Sequence, residues 1–269
     1  MNRLEGEYLN GKKNGKGRQY DNNGRLMFEG EYLYNFKIRG KYYLDGKLEF
    51  EGEYMYNRKW NGKGYDENDN IIYELISGNG KVKEYDKNGN LIFEGEYLNG
   101  KRNGKWKDYD INDILAFEVE YLNDKKIGKG KEYNSDGSLK FEGIYLYDFR
   151  LNGREYIQEK LVYEGEYMYG KKWNGKGYDE NGNINYELNN GNGKVKEYYE
   201  SGKLEFEGQL IDGKKNGEGK EYNYDGKLIF SGEYLNGKQW NGKRMHYDKS
   251  FNNEEISEYE LINGMQKIC

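Results

Sequence analysis

The sequence predicts an all-β fold: an elongated, twisted, single-layer antiparallel meander of about eleven tandem β-hairpins. Three observations carry that expectation. The word Glu-Gly-Glu-Tyr, or a near copy, begins at Glu5, Glu29, Glu51, Glu74, Glu94, Glu118, Glu142, Glu164, Glu187, Glu207 and Ser231. The 39 glycines recur every few residues, which disfavours helices at about 1 kcal/mol for each interior glycine. The 30 tyrosines, 10 phenylalanines and 4 tryptophans supply apolar surface to a chain poor in aliphatic residues, as a disordered chain of this charge would not.

The steps between the repeated words are 24, 22, 23, 20 and 24 residues, followed by the same five numbers again, so a five-repeat cassette recurs as a block of 113. Glu5, Glu118 and Ser231 are therefore equivalent, as are Trp60 and Trp173. The word decays to ELIS at Glu74 and to ELNN at Glu187. No linker interrupts the periodicity, so residues 1–269 are expected to form one array, with an irregular C-terminal cap over about 244–269.

Residues 91–117 define the elements of one repeat. Leu91 to Leu98 alternates as a strand, Asn99 to Gly104 forms a turn, and Lys105 to Asp110 is the returning strand. The Asn-Asp segment that follows leads to the next hairpin. Alternation places Phe93, Gly95 and Tyr97 on one face, with Ile92, Glu94, Glu96 and Leu98 on the other. Lysines of the second strand can then stand opposite glutamates, giving a charge ladder whose pairs contribute roughly 0.2–1 kcal/mol each. The opposite face sets rings beside glycines, an arrangement in which a ring covers the bare backbone of its neighbour.

Net charge is −5 with a pI near 5.4, which lacks the basic footprint of a nucleic-acid-binding protein. The single cysteine, Cys269, permits no intramolecular disulfide. The first residues enter the repeat at once, with no apolar segment resembling a signal peptide or membrane span. An intracellular, cytoplasmic location is expected, with membrane or cytoskeletal association compatible.

The segments FEGEYLNGKRNGKW (93–106) and YEGEYMYGKKWNGKG (163–177) resemble the MORN (membrane occupation and recognition nexus) repeats. The resemblance extends from Leu4 to about Lys243. It implies an antiparallel hairpin array used for protein interaction, for assembly into dimers or longer scaffolds, and in some members for association with phospholipid. Tyr stands here where many members have Trp.

Catalytic machinery is not expected. His246 has no second His or Cys nearby with which to hold a metal, and no histidine recurs beside a serine. The carboxylates Glu94 and Glu96, or Glu164 and Glu166, repeat along the array and read as a solvated ladder rather than an acid–base pair. Gly78-Asn79-Gly80-Lys81 and Gly191-Asn192-Gly193-Lys194 lack the spacing and helix of a phosphate loop and read as tight turns. Asp86 to Asn90 and Asp179 to Asn183 lack the twelve-residue calcium loop. No cofactor and no small-molecule substrate are expected.

Two sets of residues are candidates for contact with a partner. Trp60, Trp173, Trp240 and Trp106, with Tyr54, Tyr97 and Tyr167, either cover neighbouring glycines or anchor a partner from the aromatic face. The turn residues Lys12, Lys13, Lys101, Arg102, Lys125, Lys126, Lys171, Lys172, Lys214 and Lys215 are expected to line one edge of the strip, opposite Asp-rich turns around Asp21, Asp86, Asp179 and Asp225. The function expected is a non-enzymatic scaffold or adaptor that binds another protein or a second copy of itself. The alternative is a peripheral module for anionic phospholipid, where each surface cation contributes on the order of 1 kcal/mol.

Overall fold

The computed structural model describes residues 3–86, 88–248 and 255–267, so Cys269 lies outside the described residues. Every element is a β-strand, and every hydrogen-bonded pair described is antiparallel between consecutive strands. Residues 1–137 and 138–269 form two compact units.

The first unit begins with β1 (Leu4–Leu9), β2 (Lys12–Tyr20), β3 (Leu26–Leu33), β4 (Phe36–Leu44), β5 (Lys47–Met55), β6 (Arg58–Tyr65) and β7 (Ile71–Leu75). These seven make one sheet in sequence order. It continues with β8 (Gly80–Tyr85), β9 (Leu91–Leu98), β10 (Lys101–Tyr109), β11 (Leu115–Leu122) and β12 (Lys125–Tyr133). The second unit opens with β13 (Leu139–Leu146), β14 (Phe149–Ile157), β15 (Lys160–Met168), β16 (Lys171–Tyr178) and β17 (Ile184–Leu188). It closes with β18 (Gly193–Tyr198), β19 (Leu204–Ile211), β20 (Lys214–Tyr222), β21 (Leu228–Leu235), β22 (Lys238–Asp248), β23 (Glu255–Ile262) and β24 (Met265–Gln266).

The predicted alternation is visible in the register. Glu5, Arg18, Glu29, Lys41, Glu51, Lys63 and Glu74 face one another in turn across β1 to β7, with the sign of charge changing at every strand. One residue further along, Gly6, Gly17, Gly30, Gly40, Gly52 and Gly62 form a second column, which ends at Leu75. Rings fill the space over those glycines. A Cβ on Gly40 would lie 2.7 Å from the tip of Phe28, and one on Gly95 would lie 2.2 Å from Trp106. Phe28, Phe50, Phe141, Phe206 and Phe230 are each fully buried, so this ring-over-glycine face is the core.

The decayed words mark breaks in the sheet. In ELIS and ELNN the turn arrives two residues early, so β7 and β17 are five residues long and join β8 and β18 through single bridges, Ile76 to Asn79 and Asn189 to Asn192. Leu75 and Leu188 occupy the glycine column there and are buried. The tail expected to be irregular is instead paired: β22 and β23 hold register from Gly242–Leu261 to Asp248–Glu255, and β24 adds a two-residue return. The glycine column passes through Gly242 to Leu261, as it passes to Leu75, so the meander continues among the described residues of the tail.

Candidate interaction surface

Hairpin turns alternate between two edges of each meander. On one edge, Asp or Asn opens a turn and folds back on it: Asp86 Oδ1 accepts from the N–H groups of Asn88 at 2.8 Å and Asn90 at 2.9 Å, and Asp179 does the same for Asn181 and Asn183. Backbone donors hold both carboxyls below the usual carboxylate range. Their oxygens are thus spent on the turn.

The other edge carries the tips between β1 and β2, β3 and β4, and onward. Each tip is tied to the previous one: Asn35 Oδ1 accepts from Lys13 N–H at 2.8 Å, Asn57 from Lys37, and Asp124 from Arg102. Just past each tip the returning strand carries a bulge. In β4, β6, β14, β16 and β22 one extra residue is inserted, and it is Ile38, Trp60, Leu151, Trp173 and Trp240 respectively.

This placement decides the tryptophans. Trp60 and Trp173 are half-buried, with their rings within 2.7 Å of where a Cβ on Gly78 or Gly191 would sit, and Trp240 lies against Gly264 in the same way. Trp106 is 1% exposed, and its indole N–H donates to the carbonyl of Glu96 at 3.0 Å. Tyr54 and Tyr167 are also buried, edge-on to Phe28 and Phe50 and to Phe141 and Tyr163. Tyr97 is half-buried, edge-on to Trp106 at 5.2 Å. All seven aromatic candidates therefore pack within the chain.

The basic candidates divide by position in their turns. Lys12, Lys125, Lys171 and Lys214 are exposed on the edge, with Lys101 half-buried. Lys13, Arg102, Lys126, Lys172 and Lys215 turn the other way and lie over rings: Lys172 over Tyr163 at 4.8 Å, Lys215 over Phe206 at 4.1 Å, Arg102 over Phe93 at 4.5 Å, Lys126 over Phe117 at 3.5 Å and Lys13 over Tyr32 at 5.3 Å. Lys37, Lys59 and Arg150, which sequence reasoning missed, belong to the same column.

Most of these inward cations have a carboxylate. Lys59 Nζ, 19% exposed, lies 2.6 Å from Glu49 and 3.2 Å from Glu84. Burial works to lower its pKa, but Glu49, Tyr73 and Glu84 outweigh burial and hold it well above the ordinary lysine value. Lys172 and Arg150 share Glu155, each at 2.8 Å. Lys37 is the contrast. Phe28, Tyr42 and Tyr54 surround its ammonium at 4.4, 5.1 and 5.7 Å, and desolvation, followed by the charges of Lys13 and Lys59, lowers its pKa to about 8.

The charge-ladder face of the first unit contains a groove of about 800 Å³, floored by Gly17, Gly30, Gly40 and Gly52. Its walls neutralise one another, as in Arg39–Glu31 at 2.7 Å and Arg18–Glu29 at 3.4 Å. Glu94 and Glu164 lie on the same kind of ladder. Burial works to raise the pKa of Glu94, but Tyr109, Lys83 and Lys107 outweigh it, and the hydroxyl of Tyr178 holds Glu164 low. Neither has the raised pKa of a general acid. Among the described residues no group of three His, Cys, Asp or Glu side chains is placed to hold a metal, and no helix is long and apolar enough to cross a membrane.

Exposed apolar side chains line the tip edge, as with Leu9, Ile76, Leu98 and Leu122, and form their largest clusters at two adjacent tips in each unit. In the first, Leu33, Tyr34, Phe36, Ile38, Met55 and Tyr56 are all exposed, with Phe36 edge-on to Tyr56 at 5.9 Å. In the second, the equivalents 113 residues on, Leu146, Tyr147, Phe149, Leu151, Met168 and Tyr169, are exposed as well. The four tyrosines hold φ between 48° and 51°, a left-handed conformation occupied in other tips by Asn10, Asn99, Asn123, Asp212 and Asn236. A bulky residue there costs about 1–2 kcal/mol that Asn largely avoids. The sequence signal was available: Tyr-Asn, Tyr-Asp and Tyr-Gly stand where other turns read Asn-Gly or Asn-Asp.

Comparison with known proteins points to one repeat class. The family profile described as "MORN repeat variant" matches residues 78–99 and 191–212, segments separated by the 113-residue block. A search of curated proteins finds no match. Among solved structures, the crystal structure of TcdB2-TccC3-Cdc42 aligns over 94% of this chain at 14% identity and a TM-score of 0.20. That of TcdB2-TccC3 without its hypervariable C-terminal region aligns over 93% at 12% identity and 0.16. The chain spans 15% of the length of each. With the same strand–tip–strand unit on both sides of the two matched segments, the two matches are consistent with a MORN-variant repeat array.

Proposed function

We infer that this array is a non-enzymatic scaffold that holds another protein at its hairpin tips. The observation that carries this reading is the duplicated set of exposed apolar side chains at two adjacent tips, beside ladder charges that pair with one another. Monomeric surfaces seldom expose clustered apolar side chains without a use for them. Peripheral binding to anionic phospholipid is the second reading, favoured by Lys12, whose ammonium lies 5.7 Å from the exposed ring of Tyr34.

A photo-crosslinking phenylalanine analogue placed at Tyr56 or Tyr169, and for comparison at Asn22 or Glu180 on the opposite edge, tests the reading in extracts of the native source. Protein adducts are expected from the tip positions and not from the opposite edge. Adducts concentrated at Asn22 and Glu180, or lipid adducts alone at Tyr56, would overturn it.

A further inference from the structure

The row of inward cations differs between the two blocks at one pair of positions. In the second block Arg150 and Lys172 share the carboxylate of Glu155, each at 2.8 Å. Counting back 113 residues, Arg150 becomes Lys37 and Glu155 becomes Tyr42, so the first block keeps the cation and loses that carboxylate. Glu49 and Glu84 do not replace it, being bound to Lys59 at 2.6 and 3.2 Å. Among the described residues no hydrogen-bond or ion-pair partner meets Lys37 Nζ, which is packed against Phe28, Tyr42 and Tyr54.

The groups around this amine are Lys13 of β2, Phe28 and Tyr32 of β3, Tyr42 of its own strand, Tyr54 of β5 and Lys59 of β6. Only Lys13 and Lys59 among them carry charge at neutral pH. Burial and these two ammonium groups work against a proton on Nζ, and the same two cations favour an anion in its place. The hydroxyl of Tyr54 is buried in the same row with no hydrogen-bond partner among the described residues. A buried hydroxyl left unbonded is costly, and an acceptor beside it recovers that cost. Lys37 itself is half-buried rather than sealed, so a small reagent can reach it.

We propose that Lys37 is a carbamate-forming lysine that takes up carbon dioxide, the product being held by the Tyr54 hydroxyl and the ammonium groups of Lys13 and Lys59. The lone pair of the uncharged amine attacks the carbon of carbon dioxide and an N–C bond forms. One C–O π pair moves onto oxygen to complete the carboxylate, and the amine gives a proton to water; no leaving group and no change of oxidation state are involved. An acyl donor would leave a neutral amide that gains nothing from two neighbouring cations. Carbon dioxide is the small electrophile whose product is itself a carboxylate, and charge-assisted bonds to such a group are the strong ones. Modified in this way, the first block regains the kind of anion that Glu155 supplies to the second.

The test incubates the full chain with isotope-labelled bicarbonate at about pH 8, traps carbamates by ethylation with triethyloxonium, and maps the label by peptide mass spectrometry. Label is expected on Lys37 at least about tenfold above the exposed Lys12, Lys16 and Lys171, because about half of Lys37 is uncharged at that pH against under about 1% of an ordinary lysine. Acidifying before trapping should release it. Lys37→Arg, which installs the residue of the second block, should abolish it, and Tyr54→Phe should lower the affinity for carbon dioxide at least about fivefold. Even labelling of all lysines overturns the proposal, as does label on Lys37 that survives acid. Bicarbonate that raises the thermal midpoint without labelling Lys37 would be bound as an ion only, and overturns it too. An affinity unchanged in Tyr54→Phe overturns the assignment of the hydroxyl as donor.

Discussion

The ring of Trp60 lies against Gly78 of the next hairpin, whose N–H donates to the Trp60 carbonyl at 2.7 Å, and Trp173 repeats the contact with Gly191 at 2.8 Å. A Cβ on Gly78 would fall 2.5 Å from the Gly100 nitrogen and 2.7 Å from the Trp60 ring, at a backbone φ of +71°. Gly78→Ala therefore meets both left-handed strain and overpacking, together about 2–4 kcal/mol. Trp60→Ala should cost about 3 kcal/mol, at the low end for a large aromatic because the ring is half-exposed. Urea denaturation followed by tyrosine fluorescence checks both. A Trp60→Ala change within 0.5 kcal/mol of the parent, about the limit for neutral surface substitutions, would mean that the ring is not a packing element.

The tip tyrosines should respond in the opposite sense. Tyr56→Asn or Tyr169→Asn relieves a left-handed turn at an exposed site, and each is expected to stabilise its unit by roughly 1 kcal/mol. Thermal unfolding of the single variants measures this. A loss of stability would show that the rings support the fold, and the case for docking at the tips would weaken with it.

Period-two alternation and internal duplication made the hairpins, the Glu/Lys ladder and the ring-over-glycine face readable from sequence alone. The inward cations were not, because straight alternation fails at the bulge. Lys37 and Lys41 are four residues apart and should share a face. Yet Lys37 pairs with Tyr32 over the rings while Lys41 pairs with Glu29 in the ladder, since Ile38 is inserted between the two registers. In β16 the extra residue is Trp173, which separates Lys172, paired with Tyr167 over the rings, from the ladder register of Lys176, while Lys171 stays at the edge.

Lys37 gives the chain a distinctive pH response. Its folded pKa of about 8 lies below the lysine value near 10.4 expected when unfolded, so between those limits the unfolded chain binds the extra proton. Stability should then rise as pH climbs from about 8 toward 10, the penalty being fully present below pH 8. Tyrosines such as Tyr32 and Tyr97, raised to about 12 mainly by burial, oppose this only above about pH 10, where unfolded tyrosine ionises. Lys37→Met should flatten the rise, and denaturation midpoints at pH 7.5, 8.5 and 9.5 for parent and variant read the difference. Parallel curves would contradict the assignment.

The two cassettes satisfy their buried lysine by different routes, and that difference can be tested by transplantation. Lys59 takes its carboxylate from Glu49 on β5, with Tyr42 on β4; the equivalent positions in the second block are Val162 and Glu155, and Lys172 takes Glu155 instead. A buried cation left without its anion costs roughly 3–5 kcal/mol. Glu155 keeps a fifth of its surface in water, so Glu155→Tyr, which removes the carboxylate that Lys172 and Arg150 share, should cost about 3 kcal/mol. Adding Val162→Glu rebuilds the arrangement around Lys59 and should return at least about 1 kcal/mol, a coupling in the range found for residues in contact. The Glu155–Arg150 contact would not be restored, so recovery should be partial. If Val162→Glu is as harmful on Glu155→Tyr as on the parent chain, the two positions do not serve the same lysine.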